Sequence, residues 1–155
     1  MKTNESMRVQ KGLVAALVLV LMCLTSCFKF NPAFNPADEY PTDRIERITK
    51  VRVPEYKVTK FAISPPAIDF TDTMNVEFES VPSDEVFEKI DELMAANEKS
   101  GWPGWYTDDS IHYSFNTYWG NGTPAPEGED EEDDGTFELH LTKGEKAGVI
   151  IFGCW

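Results

Sequence analysis

Seven carboxylate side chains lie within the nine residues from Glu127 to Gly135, the densest group of chemically active side chains in this chain. Carboxylate oxygens crowded into one loop are ligands that Ca²⁺ prefers. A run of like charges is also typical of a solvated loop whose members repel one another. The tract therefore predicts either a calcium site or a solvated acidic loop, and the sequence leaves both interpretations open.

The spacing within this tract resembles the first half of an EF-hand calcium loop. Counted from Asp130, acidic residues occupy the first, third and fifth positions, and Gly135 occupies the sixth. The pattern departs from the EF-hand at the twelfth position, where Leu141 replaces the bidentate Glu. The resemblance implies Asp130, Glu132 and Asp134 as ligands, and Ca²⁺ is the one cofactor that the sequence suggests.

Large aromatic residues form a second group. Trp102, Trp105 and Tyr106 stand in a turn-forming segment, and Trp119 ends a predicted strand. Exposed rings of this kind stack on sugars or peptide side chains, whereas buried ones contribute packing area. We expect them to close the core beneath a helix end, and the alternative is a ligand-stacking platform made of these four residues.

The two histidines, His112 and His140, fall on the polar faces of predicted strands. A metal site would require a third ligand, for which Asp108, Asp109 and Glu138 are candidates. We expect the imidazoles to be exposed and unpaired instead. The chain lacks the GxSxG, HExxH, glycine-rich phosphate-loop and CxxC motifs, so the sequence indicates no hydrolase, metalloprotease, nucleotide-binding or thioredoxin activity.

The N-terminus has the three parts of a secretory signal peptide, namely cationic residues, an apolar run over residues 13–22, and small residues after it. The run is shorter than the roughly 20 apolar residues that a membrane-spanning helix requires. The next residues, Leu24-Thr25-Ser26-Cys27, resemble the lipobox of bacterial lipoproteins. The resemblance implies cleavage after Ser26 and acylation of Cys27, which would anchor the protein to a membrane.

The same resemblance implies a place in the bacterial cell envelope. Residues 1–26 would be the signal peptide, and residues 27–44 a lipidated tether rich in Pro and Asn. No acidic residue lies between Cys27 and Asp38. In Bacteroides-like bacteria, lipoproteins sent to the cell surface often carry acidic residues immediately after the Cys. A resemblance to that group therefore implies that this chain lies at the outer membrane and faces the periplasm.

Two tripeptides resemble the O-glycosylation sites of exported proteins in Bacteroides-like bacteria, which consist of Asp, Ser or Thr, and an aliphatic residue. They are Asp72-Thr73-Met74 and Asp109-Ser110-Ile111. The resemblance implies that Thr73 and Ser110 are modified.

Charge is distributed unevenly along the chain. The net charge of −13 becomes −15 without residues 1–26, and residues 27–62 carry +2 whereas residues 63–155 carry −17. Such a polyanion repels nucleic acid and anionic lipid, which excludes them as direct partners of the folded part. All 19 aromatic residues follow residue 26, so we expect this part to fold.

Apolar periodicity predicts the elements that position these residues. We expect strands near residues 74–81, 110–119, 137–141 and 149–152, the last of them central, and a helix over residues 84–99. Ragged alternation over residues 45–63 predicts one or two edge strands. The fold expected is α+β, with an antiparallel sheet of about four to five strands and one amphipathic helix on one face, in the order β-α-β-β-β.

These elements would form a single domain over residues 45–155, with an acidic loop at residues 120–135. We expect a membrane-anchored envelope lipoprotein that is not an enzyme and that binds a protein or glycan partner. One alternative is an acidic inhibitor or immunity-type protein that is steered electrostatically onto a basic partner. Another alternative is a calcium-dependent binding module.

Overall fold

A computed structural model describes residues 35–64, 71–97, 104–120, 122–129 and 134–154. Asn35–Trp155 form one folded unit. The candidate site residues Cys27, Trp102, Asp130 and Glu132 lie outside the described ranges, as does the predicted signal peptide with its lipobox-like segment. No helix within these ranges combines the length and hydropathy that crossing a membrane requires.

The folded unit is α+β and contains a single antiparallel sheet, as predicted. A 3₁₀ turn at Pro36–Asp38 precedes α1 (Thr42–Thr49), β1 (Tyr56–Ile63), β2 (Asp72–Phe78), α2 (Asp84–Ala96), β3 (Gly104–Thr107), β4 (His112–Trp119), β5 (Gly135–Thr142) and β6 (Ala147–Cys154). The strands lie in the order β1-β2-β6-β5-β4-β3. Among the described residues, the predicted four to five strands, single helix and β-α-β-β-β order are therefore corrected to six strands and two α-helices in the order α-β-β-α-β-β-β-β.

Strand β6 lies inside the sheet, between β2 and β5, as its run of apolar residues predicted. Strand β1 is at an edge, also as predicted. Strands β4 and β5 alternate buried and half-buried residues along most of their length, because one face packs on the core and the other does not.

Helix α1 replaces part of an expected edge strand. Ile45, Ile48 and Thr49 are its buried residues, and their spacing of three and four is that of one helix face. Lys50 ends the helix in the left-handed conformation, with φ 60°. A segment of eight residues with two Ile three positions apart is compatible with a ragged strand and with a helix. The helix is favoured only because it buries both Ile side chains against the sheet.

The prediction for residues 104–107 is also corrected. We expected a turn-forming aromatic segment there, and these residues form strand β3. It pairs with β4 and places Trp105 opposite Phe115 at the edge of the sheet. A strand of four residues is too short for its alternation to be recognised.

Helix α2 begins where its sequence predicted, but it ends at Ala96, with Asn97 at the C-cap, instead of continuing to Lys99 as expected. Ser83 occupies the N-cap position, although its side chain makes no capping hydrogen bond. Asp84 and Glu85 in the first turn complement the positive end of the helix dipole. Phe87 and Ile90 are buried, so the predicted apolar stripe does face the core.

The core lies between one face of the sheet and the two helices. Tyr40, which is 1 % exposed, packs in it with ring centroids 4.9 Å from Phe137 and 4.6 Å from Phe152. The Tyr56 hydroxyl donates to the Tyr40 carbonyl at 2.5 Å. The folded unit thus includes residues 35–44, the last part of the segment interpreted above as a tether.

Candidate functional site

The structure separates the aromatic residues that the sequence grouped. Trp119 is 1 % exposed and lies in the core, and Trp105 is 9 % exposed, with its Nε1 donating to the Thr49 carbonyl at 3.0 Å. Tyr106 is 47 % exposed and lies on the opposite face of the sheet, because consecutive strand residues alternate. Trp105 and Trp119 therefore face the core, and the described residues do not unite them with Tyr106 in one platform.

The other predicted residues are dispersed. Thr73 lies within β2 and is half-buried, whereas Ser110 is exposed in the turn before β4, at φ 60°. Asp134, the one predicted calcium ligand that the structure describes, lies close to Gly120, where an added Cβ would be 1.8 Å from its Oδ1. Among the described residues, no group of three or more His, Cys, Asp or Glu side chains is arranged to hold a metal ion.

The histidines are exposed or half-exposed, as expected, but both are hydrogen-bonded, so the prediction that they are unpaired is corrected. His112 Nδ1 lies 2.6 Å from Asp109 Oδ2. His140 Nδ1 lies 2.8 Å from the Ser114 hydroxyl, and its Nε2 lies 3.3 Å from Glu138 Oε2. The sequence could not show these contacts, because the register between β4 and β5 decides which residues are opposite.

A cavity of about 400 Å³ lies between the C-terminal ends of the two helices and strands β3 and β4. Trp105 and Phe115 line it from the sheet, and Ile48 and Leu93 line it from the helices. We call it the Trp105 cavity. Its volume and largely apolar lining are those of a small-ligand pocket.

The rim of the Trp105 cavity is polar. Arg47 and Lys50 contribute cations from α1, Glu127 contributes a carboxylate, and Asn97 contributes an amide from the end of α2. The segment 124–126, Pro-Ala-Pro, forms another side of the cavity. An apolar interior with a few polar groups at its mouth is suited to binding a mixed ligand.

The first residues of the acidic tract, 127–129, are held against α1, and we call them the acidic strap. Arg44 Nε donates to Glu129 Oε1 at 2.9 Å, and a terminal nitrogen of Arg44 donates to Glu129 Oε2 at 2.5 Å. Lys50 Nζ donates to Glu127 Oε2 at 2.8 Å. Between them, Arg47 packs against Gly128, where an added Cβ would lie 2.9 Å from Nε.

The two ion pairs of the strap differ in burial. The Glu129 side chain is 4 % exposed, and its hydrogen bonds raise the pKa of Arg44 above its ordinary value. Glu127 is exposed, and the hydrogen bond from Lys50 lowers the pKa of its carboxyl. The buried bidentate pair is therefore the stronger attachment, because exposed pairs contribute little.

Sequence reasoning missed the functional position of α1. Arg44, Arg47 and Lys50 recur every three residues, which places them along one side of a helix, and the tract they meet carries the opposite charge. That complementarity was visible as the contrast between residues 27–62 and 63–155. The cavity itself was not predictable, because its lining comes from five separate segments of the chain.

The chemistry that this arrangement supports is binding. The hydroxyl groups among the lining residues belong to Thr49 and Thr117. The single hydroxyl hydrogen of Thr49 has two carbonyl acceptors within range, that of Ile45 at 2.8 Å and that of Val51 at 3.1 Å. No His, Cys or Ser is among the described lining residues. The chain matches no protein-family model, and comparisons with curated proteins and with solved structures likewise give no match.

Proposed function

We propose that this chain is a bacterial cell-envelope lipoprotein, anchored through an acylated Cys27, and that its Trp105 cavity is a non-catalytic site that binds a protein or glycan partner. The observation that carries the binding part is the cavity itself, which combines an aromatic floor with charged groups at its rim. The sequence from residue 1 to Cys27 supports the anchor. The absence of acidic residues just after Cys27 supports a periplasm-facing position at the outer membrane.

The lining favours a partner group with an apolar body and polar edges. Trp105 and Phe115 supply aromatic surface, with ring centroids 5.4 Å apart. Arg47, Lys50 and Asn97 supply hydrogen-bond donors where such a group would enter. A sugar ring and an amphipathic peptide side chain both meet this description, because each presents an apolar face beside hydrogen-bonding groups.

The binding proposal is tested on the full lipoprotein, purified in detergent, by glycan-array screening and by pull-down from solubilised membranes. Ala96 lines the cavity, whereas its neighbour Ala95 does not. We expect Ala96→Trp to fill the cavity and abolish binding, and the matched variant Ala95→Trp to retain it. A partner that binds both variants equally, or no binding by the unaltered protein, contradicts the proposal.

The anchor is tested separately by growth with labelled palmitate. Cys27→Ser should lose the label and move from the membrane fraction to the soluble extract. Cys23→Ser, which changes a cysteine within the apolar run, is the control and should keep both the label and the membrane association. Label retained by Cys27→Ser would show that acylation occurs elsewhere.

A further inference from the structure

The sheet has a second face, opposite the helices, which we call the open face. Strand alternation directs to it those side chains of β4 and β5 that do not enter the core. They are exposed or half-buried and comprise His112, Ser114, Asn116, Tyr118, Thr136, Glu138, His140 and Thr142. Solvent therefore reaches this face, and so can a dissolved substrate.

Three of these side chains form a connected chain of hydrogen bonds. Ser114 and His140 are direct partners in the β4–β5 register, with Ser114 Oγ 2.8 Å from His140 Nδ1. Glu138 precedes His140 by two residues and so shares its face, with Oε2 3.3 Å from His140 Nε2. The imidazole thus lies between a hydroxyl and a carboxylate, each within hydrogen-bond range.

The Glu138 carboxylate and the Ser114 hydroxyl determine which ring nitrogen of His140 carries the hydrogen. A carboxylate only accepts hydrogen bonds, so His140 Nε2 carries the hydrogen that faces Glu138. In the neutral ring Nδ1 is then an acceptor, and the Ser114 hydroxyl donates to it. The hydrogen bonds therefore run from a nucleophile to its base and from that base to a carboxylate that orients it, as in a catalytic triad.

We propose that Ser114, His140 and Glu138 form an acyl-transfer site that hydrolyses accessible esters on the open face. Ser114 is the nucleophile, His140 the general base, and Glu138 a positioning residue that holds the tautomer and stabilises the imidazolium. The activity is separate from binding in the Trp105 cavity, because the site lies on the other face of the sheet.

In the first step, Ser114 Oγ bonds to the acyl carbon as its proton passes to His140 Nδ1. The resulting tetrahedral intermediate breaks the bond to the leaving alkoxide, which takes that proton and departs as an alcohol. Water then attacks the acyl-serine, again giving a proton to His140. Collapse of the second intermediate returns the proton to Ser114 Oγ and releases the carboxylic acid.

Asn116 is the side chain best placed to meet the developing oxyanion. It follows Ser114 by two residues on the same face and is opposite Glu138 in the register. Its Nδ2 is the atom that would donate to the oxyanion, because the amide oxygen only accepts hydrogen bonds. An Asn amide is an established kind of oxyanion donor.

The probe is a fluorophosphonate, which labels activated serines, used with p-nitrophenyl acetate on the full protein. Labelling should be located at Ser114 by peptide mass spectrometry and be absent from Ser114→Ala. His140→Gln should slow labelling at least about tenfold, since general-base catalysis contributes about 10²–10⁴. His112→Gln is the matched control, because His112 has a carboxylate partner in Asp109 and is opposite Thr142 rather than a serine.

Two results would overturn the proposal. One is an unlabelled Ser114 in the unaltered protein, which needs no variant and so does not depend on folding. The other is p-nitrophenyl acetate hydrolysis that Ser114→Ala retains and His140→Gln loses, which would mark His140 as a simple imidazole nucleophile. Circular dichroism confirms that each variant is folded.

Glu138 requires a readout that a purely structural role would not change. Glu138→Gln should slow the labelling of Ser114, whereas Glu138→Asp, which keeps a carboxylate that can accept from His140 Nε2, should restore the rate in part. The other ionisable side chains on this face are Lys57, Lys60, Glu77, Tyr106, His112 and Tyr118. Glu77→Gln is the charge-matched control, and labelling slowed equally in Glu138→Gln and Glu77→Gln would contradict the assignment.

Discussion

Arg44 and Glu129 are 85 residues apart in sequence and form a bidentate ion pair whose carboxylate is almost completely buried. The Arg44 guanidinium also lies 4.1 Å from the centroid of the Tyr40 ring. The pair thus joins α1 to the beginning of the acidic tract and holds one side of the Trp105 cavity in place.

Arg44→Met should destabilise the protein by about 2–4 kcal/mol, because removing one partner of a buried ion pair costs about 3–5 kcal/mol and Arg44 keeps some exposure. Urea unfolding measures the change. Arg47→Met is the control and should cost less than about 1 kcal/mol, since its partner Asp43 is exposed. The double variant, Arg44→Met with Glu129→Leu, should lose less stability than the two single variants lose when their losses are added. Strict additivity would show that the pair is not coupled.

Tyr40→Ala should cost about 3–5 kcal/mol, because it removes a large buried ring from the core. The matched change, Tyr106→Ala, should alter stability by less than about 0.5 kcal/mol, since that ring is largely exposed. Both values come from chemical denaturation. Equal effects would mean that residues 35–44 do not pack against the sheet.

Gly135→Ala should destabilise the protein through a clash, because the added Cβ would lie 2.2 Å from Trp119 Cζ2. Overpacking of this kind costs about 1–3 kcal/mol. Gly148→Ala provides a graded comparison, since its Cβ would lie 2.8 Å from Phe78 Cε2 and should cost less. The double variant, Gly135→Ala with Trp119→Leu, should lose less stability than the two single variants lose when their losses are added. If thermal unfolding shows that the losses simply add, the clash with Trp119 is not the cause.

In the exposed pair of Asp109 and His112, each residue should shift the pKa of the other. Backbone and side-chain hydrogen bonds from His112 lower the pKa of Asp109 to about 2, and the hydrogen bond with Asp109 raises the pKa of His112 above 6.5. The contribution of His112 to the free energy of unfolding is therefore complete below pH 6.5, and it is lost as the pH rises through the raised pKa. The Asp109 contribution is present above pH 3.8 and is lost as pH falls through about 2.

NMR titration of the His112 ring checks this assignment. Asp109→Asn should lower the pKa of His112 markedly. Glu145→Gln should lower it less, because Glu145 acts only through its charge. A larger effect of Glu145→Gln would show that long-range charge, not the hydrogen bond, controls the imidazole.

Much of the fold was readable from local pattern. Helix α2 was predicted from a first-turn acidic pair and an apolar stripe, and β2, β4, β5 and β6 from alternation or a continuous apolar run. These signals work because burial of one face imposes a period on the chain itself. Helix α1 and strand β3 were missed because eight and four residues contain too few repeats to distinguish one period from another.

By itself, the sequence determined an acidic α+β domain with a central apolar strand, and it carries the signal-like and lipobox-like segment that predicts an anchor. Only the tertiary structure decided that Arg44 meets Glu129, that Trp105 lines a cavity while Tyr106 lies on the other face, and that Ser114 is opposite His140. Local periodicity reports which side of an element is buried. It contains no information on which distant element covers that side or in what register, because those choices depend on the packing of the whole chain.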